Sequence, residues 1–362
     1  MKIILRSISI LVSGLILTAS AAAQISLTPP GAQPPPPESK PAAKPKAKPA
    51  AAAKKPAASA ATPKPAAPAP AATVIPAPTP DDPNVDLVFG AYQRGFYKTA
   101  FDLATKRVQD KGDPRAMTML GELYANELGV KRDDAKAVEW YKRASDGGDR
   151  EAMFALAMLR LSGRGGPVNR EEAVKLLASS AKLGNPKAAY NLALLYLDGQ
   201  TLPQDLRRSA ELLRIAADAG NSEAQYALAT FYKEGTGVEK DVEKSVRLLQ
   251  AASLADNVDA EVEYAIALYN GTGTPKNQAA AVALLRKAAR QNSPIAQNRL
   301  ARVLASGQGA PMDKVEGLKW HIVAKTAGKG DPELDGELAK LNPEDRAKAT
   351  EAALKWIGNN VK

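Results

Sequence analysis

The stretch GRGGPVNREEAVKLL, residues 163–177, sets three glycines before a proline, an asparagine and an amphipathic run. Glycines feeding a helix can offer free backbone N–H groups to a phosphate. A phosphate loop also needs a lysine and a hydroxyl where the helix starts, and neither is present here. The nearest match in spacing, GAYQRGFYK from Gly90, puts Phe96 where the lysine belongs. Other chemistry is equally thin. There is no cysteine and one histidine, His321, so thiol nucleophiles, disulfides and thiolate metal sites are excluded. Adjacent carboxylates such as Glu171 and Glu172 fall in first helical turns, where acidic groups complement the helix dipole. These observations predict a protein that is not an enzyme and carries no cofactor or metal.

The residues around these candidates explain why the glycines are there. From Asp113 the chain divides into six blocks of 36 residues without an insertion: 113–148, 149–184, 185–220, 221–256, 257–292 and 293–328. Each begins with Asp, Asn or Ser, all good helix caps, and Pro114, Pro186 and Pro294 follow at the first helical position. Position four is always alanine. Position eight is Leu120, Leu156, Leu192, Leu228, Tyr264 and Leu300, and position eleven is apolar throughout. The spacing of four and then three places these on one face of helix A. Glycine recurs at positions fifteen and seventeen, and position twenty-one is always Asp or Asn, the expected cap of helix B. On helix B a small residue (Ala137, Ala173, Ser209, Ser245, Ala281, Gly317) is followed three residues on by a large one, Trp140 to Trp320, as the expected inner face. His321 stands at position twenty-nine, where the other blocks have Tyr or Leu, and reads as a structural histidine.

The flanks differ. Residues 1–23 carry Lys2 and Arg6, an apolar run and the small residues Ala21 and Ala23, which reads as a signal peptide cleaved after Ala23. Residues 24–85 are rich in Pro, Ala and Lys and bury too little apolar surface to fold, so a disordered arm is expected. Within residues 24–80, seven lysines (Lys40, Lys44, Lys46, Lys48, Lys54, Lys55, Lys64) against Glu38 alone hold +6 of the net +10, and the signal segment holds +2. About +2 is left for the remainder, so the basic balance belongs to the arm. Such an arm could touch anionic cell wall, polysaccharide or lipid by charge, or act only as a spacer. Lacking arginine and aromatic residues, it does not suggest nucleic acid. Residues 86–112 read as a short helix pair turning at Gly95, with Tyr92, Phe96 and Ala100 packing inward. Residues 329–362 read as closing helices, with Asn342 as a cap and Trp356 on an apolar face.

The order of alanine at four, leucine at eight and a Gly-x-Gly loop, followed by AVEWYKRAS (137–145) or SAELLRIAADAG (209–220), resembles the Sel-one-like repeat, a relative of the tetratricopeptide repeat. Glu127 and Thr201 depart from the loop glycines. The resemblance implies an all-α, right-handed α/α superhelical solenoid of 36-residue helix-turn-helix repeats. It also implies an adaptor that holds a protein or peptide in a concave groove; together with the signal peptide, the expectation is a periplasmic or secreted adaptor that regulates a membrane sensor.

With positions four, eight and eleven in the core, positions five, nine, twelve and thirteen are expected to face the groove, and the small residues at nine to leave room there. This puts Met117, Tyr124, Met153, Arg160, Tyr196, Tyr232 and Lys233 forward as partner-binding residues, types favoured at interfaces. Arg160 stands out because it interrupts an apolar position in mid-stack.

Overall fold

The computed structural model describes residues 86–360. The expected signal segment and arm lie outside the described residues. Sixteen α-helices and no strands occur among the described residues. Helices α1 (Leu87–Gln93) and α2 (Tyr97–Lys111) come first. Six A/B pairs follow: α3 (Pro114–Ala125) with α4 (Asp134–Asp146), α5 (Arg150–Ser162) with α6 (Arg170–Lys182), and α7 (Pro186–Asp198) with α8 (Leu206–Asp218). They continue as α9 (Ser222–Glu234) with α10 (Val242–Leu254), α11 (Val258–Asn270) with α12 (Gln278–Arg290), and α13 (Pro294–Ser306) with α14 (Lys314–Thr326). Helices α15 (Pro332–Lys340) and α16 (Pro343–Asn360) complete the chain. Each repeat helix packs on the helix before it and the helix after it, which makes an α-solenoid. None of the described helices is long and apolar enough to cross a membrane.

The repeat is written in its caps. Asp113, Asp149, Asn185, Asn221, Asn257 and Ser293 each accept a first-turn backbone N–H of an A helix. Asp133, Asn169, Asp205, Asp241, Asn277 and Asp313 do the same for the B helices. A cap of this kind contributes about 1 kcal/mol. The two loop glycines have different tasks. Gly235 ends α9 at φ 82°, and a Cβ there would meet nothing closer than the Lys240 side chain at 3.4 Å, an ordinary contact. Gly237, at φ 66°, lies so close to the previous B helix that a Cβ would strike the Leu206 carbonyl at the start of α8. The second glycine therefore sets how closely one repeat sits on the last. In the first repeat Glu127 accepts a left-handed φ of 57°, whereas Thr201 in the third does not adopt a positive φ, so that loop takes another path.

Alanine at position four and the apolar residue at position eleven are buried in every repeat. The small residue on helix B is buried as well. The large residue expected three further on is mostly only half-buried, because it lies between repeats. The deep position is the next one: Tyr141, Leu177, Leu213, Leu249, Leu285 and His321 are all buried. His321 reaches across to α15, with Nε2 2.9 Å from Asp335 Oδ1. Asp335 also accepts from Lys325, and these two partners hold its carboxyl below the usual carboxylate range.

Helices flank the repeats at both ends. Ala100 is buried and the chain turns at Gly95, but Phe96 is 58% exposed and does not pack inward. As the residue capping α2 it projects from the helix end, and its neighbour Tyr97 packs edge-on against Tyr92 instead, ring centres 5.6 Å apart. At the other end Asn342 accepts the Asp345 N–H, and Trp356 meets Trp320 edge-on at 5.0 Å.

The glycine geometry gives a graded expectation. Gly237→Ala should lose more than about 2 kcal/mol, from left-handed strain plus a backbone clash, while Gly235→Ala should lose about 1 kcal/mol. Chemical denaturation of the two variants measures the gap, and equal losses would contradict the packing role of the second glycine.

Candidate interaction groove

Helix A is held between two B helices, its own and that of the repeat before. This buries two stripes, not one. Ala157, Ala193, Ala229, Ala265 and Ala301 at position nine are buried, as is Gly121. Gly121 lies against the Tyr141 ring, and Ser209 on α8 donates to the Ala193 carbonyl at 2.9 Å. The expectation that position nine leaves room in a groove is thus overturned: its small residues admit the paired B helix. Position five faces the preceding B helix. Gln225 donates to the Ala217 carbonyl and Gln297 to the Ala289 carbonyl, both on the preceding B helix, while buried Glu261 pairs with Lys287 on the B helix of its own repeat. Positions four, five, eight, nine, eleven and twelve together span roughly 160° of the helix. The opposite arc, positions three, six, seven, ten and fourteen, is what remains for a partner.

A cavity of about 1030 Å³ lies on that arc at the N-terminal end of the stack. Its apolar lining includes Phe89 and Tyr92 of α1, Met119 of α3, and Phe154 and Met158 of α5. Arg115, Glu122, Glu151 and Lys187 bring charge to it from the same arc. Glu122 accepts the Tyr141 hydroxyl at 2.9 Å. Burial, with Glu122 adding to it, pushes the Tyr141 phenol well above its ordinary value and keeps it a neutral donor. At one edge Arg164 holds Asp134 of the preceding repeat at 2.6 Å. Hydrogen bonding to Arg164 and then Arg132 draws the Asp134 carboxyl down to about 2.

The seven residues singled out from the sequence are not brought together here. Met117, 9% exposed, is in the core with Tyr141 and Leu156, and Met153 is half-buried at the equivalent position. Neither they nor Tyr124 and Arg160 line the cavity. Position twelve is instead tied to position twenty-four, on the paired B helix. The Lys136 ammonium sits 5.3 Å from the Tyr124 ring centre, Arg208 lies 5.4 Å from Tyr196, and Lys244 lies 5.4 Å from Tyr232. Where Arg160 replaces tyrosine, Glu172 replaces the cation, and the two pair at 2.9 Å. The Arg160 side chain is 16% exposed and has its partner within its own repeat. Lys233, the remaining candidate, bridges to Glu263 of the next repeat at 2.9 Å. The groove residues left a different signal in the sequence. They vary freely in type from block to block, as in Arg115, Glu151, Lys187, Glu223, Asp259 and Ile295 at position three, whereas position nine never departs from Ala or Gly.

A stack of paired antiparallel helices with a side groove defines an α-solenoid of the kind that binds other proteins. More specifically, six consecutive segments, 114–149, 150–185, 186–221, 222–257, 258–293 and 294–329, match the Sel1 repeat, and the chain belongs to the Sel1 repeat family. Sel1 repeat proteins act as protein–protein interaction scaffolds, typically without catalysis. Among solved structures, the chain is similar to a Sel1 repeat protein from Oxalobacter formigenes at 26% identity, covering 66% of this chain and 98% of that one, with a TM-score of 0.59. It shares its fold with c5321, a protective antigen of uropathogenic Escherichia coli. There the identity is 24%, the coverage 72% of this chain and 64% of that one, and the TM-score 0.52. No curated protein matches the chain.

Two outcomes test this geometry. Removing Arg160 and Glu172 singly and together, as Arg160→Met and Glu172→Gln, should reveal a coupling of about 1 kcal/mol in a double-mutant cycle, and additive losses would show that the pair is idle. Asp134 has a lowered folded-state pKa, so its contribution is present above the unfolded value near 3.8 and is lost as pH falls through about 2. The stability gap between the parent chain and Asp134→Asn should therefore shrink between pH 4 and pH 2, as followed by thermal unfolding.

Proposed function

We propose that this chain is an exported, non-enzymatic adaptor of the bacterial envelope, and that it holds a segment of another protein against the A-helix arc of its first repeats. The observation that carries the reading is the 1030 Å³ cavity, whose apolar lining of Phe89, Tyr92, Met119, Phe154 and Met158 is rimmed by charges of both signs. An apolar floor with a polar rim is the anatomy of a protein interface. The N-terminal 23 residues support export, and a role beside a membrane sensor fits a scaffold so placed. The seven arm lysines favour one further reading, in which the arm fastens the protein to anionic wall, polysaccharide or lipid.

Phe154→Glu places a charge on the cavity lining at a residue outside the fully buried core. Cross-linking in the native envelope, followed by mass spectrometry, should capture one protein with the parent chain and lose it with Phe154→Glu at equal folding by circular dichroism. A chain lacking residues 24–80 should keep that partner. Loss of capture on deleting the arm, with Phe154→Glu unaffected, would transfer the binding role to the lysines.

A further inference from the structure

The two signs of charge on the N-terminal cavity are not engaged alike. Every carboxylate on its lining is already held by the fold. Asp86, Asp113 and Asp149 accept backbone N–H groups as the caps of α1, α3 and α5, and Arg107 pairs with the first two. Glu122 accepts from the Tyr141 hydroxyl and the Asn126 amide, while Glu151 accepts from the Asn185 amide and lies 3.4 Å from Arg150. Among the cations, Arg164 is held by Asp134, and Arg150 donates to the Leu183 and Gly184 carbonyls. Arg115 and Lys187 differ. They stand at position three of the first and third repeats, both exposed, and neither side chain has a hydrogen-bond or ion-pair partner among the described residues.

Open apolar surface accompanies each of these cations. Phe89 of α1 is 48% exposed and Leu183, at the end of α6, is 49% exposed, and both belong to the cavity lining. Helix α1 touches α3, and α6 packs on α7. Phe89 with Arg115 therefore marks the first-repeat end of the cavity, and Leu183 with Lys187 its third-repeat end. Met119 of α3 and Phe154 of α5 form the floor between them.

Resting on the reading of this cavity as the binding groove, we propose that its occupant is an apolar segment of another protein with acidic residues on both flanks. Its carboxylates meet Arg115 and Lys187, and its apolar side chains cover Phe89, Leu183 and the floor. Negative charge is the sign this site accepts without breaking a contact of its own, and each new pair is a charge-assisted hydrogen bond. A cationic segment would have to draw Glu122 or Glu151 from donors that the fold supplies, and would face two unpaired cations. That like-charge penalty is what selects between the two classes.

The probe is a fluorescein-labelled peptide with a leucine–phenylalanine–leucine core between two pairs of glutamates, read by anisotropy at low salt against the purified chain. The same core between pairs of lysines is the comparison. The glutamate peptide should bind at least about tenfold more tightly, and Arg115→Glu with Lys187→Glu should reverse the preference. Both side chains are exposed and unpaired, so the double variant should match the parent by circular dichroism. Equal binding of the two peptides, no binding of the glutamate peptide, or an unchanged preference in the double variant would overturn the proposal. Binding of the glutamate peptide only after removal of residues 24–80 would make this chain's own arm the occupant and overturn it as well. Capture of the native partner separates the proposal from the scaffold reading. If Phe154→Glu loses that partner while the double variant keeps it, the groove stands and the acidic class falls. If both variants keep it, the groove itself falls and the acidic class with it.

Discussion

Every A helix in this protein is clasped between two B helices, and that single arrangement governs the rest. It calls for alanine at position four, a side chain no larger than alanine at position nine and, in five of the six repeats, a glycine at the second loop position, because in each place another helix comes close to the backbone or Cβ. It also decides where a partner can bind. With roughly half the helix circumference taken up by neighbours, only the outer arc is left, and that arc is where the cavity lies.

The pairing of positions twelve and twenty-four shows how a repeat can vary without loosening. Tyrosine under lysine or arginine and arginine against glutamate are different chemistries that join the same two helices at the same height. A residue that looks anomalous along one row of the repeat, as Arg160 does, becomes ordinary when read with its counterpart on the second row. Variation on the open arc is of another kind. There the residue type changes from block to block, as at Arg115, Glu151 and Lys187 of position three, and these side chains line the cavity at the N-terminal end.

Much of the fold was legible in the sequence, because caps, loop glycines and the first buried stripe obey local rules that recur at a fixed interval. The period, both helices of every repeat and the closing pieces at either end could be placed from Asp113, Asn169, Gly235, Asn342 and their equivalents. The second buried stripe was not legible, since it depends on how successive repeats lean on each other. Position nine, taken for an open groove, is where the paired B helix packs, and Phe96 turned outward because a capping residue leaves the helix axis. Of the groove itself, the sequence marked neither Phe154 nor Met158. Their signal was irregularity between blocks, which is the reverse of what a repeat search rewards.

The third repeat breaks one rule that the others keep. At Thr201, where five repeats have a glycine, the side chain closes off the backbone approach that Gly237 makes to α8. The joints of the stack are therefore not all alike. At Gly129, Gly165, Gly237 and Gly273 main chain comes close to main chain, at Gly309 the near neighbours are the Gln278 and Tyr269 side chains, and at the joint between α6 and α7 the glycine is missing altogether. That joint, which follows the cavity-bearing repeats, therefore lacks the main-chain stop that glycine provides at its neighbours.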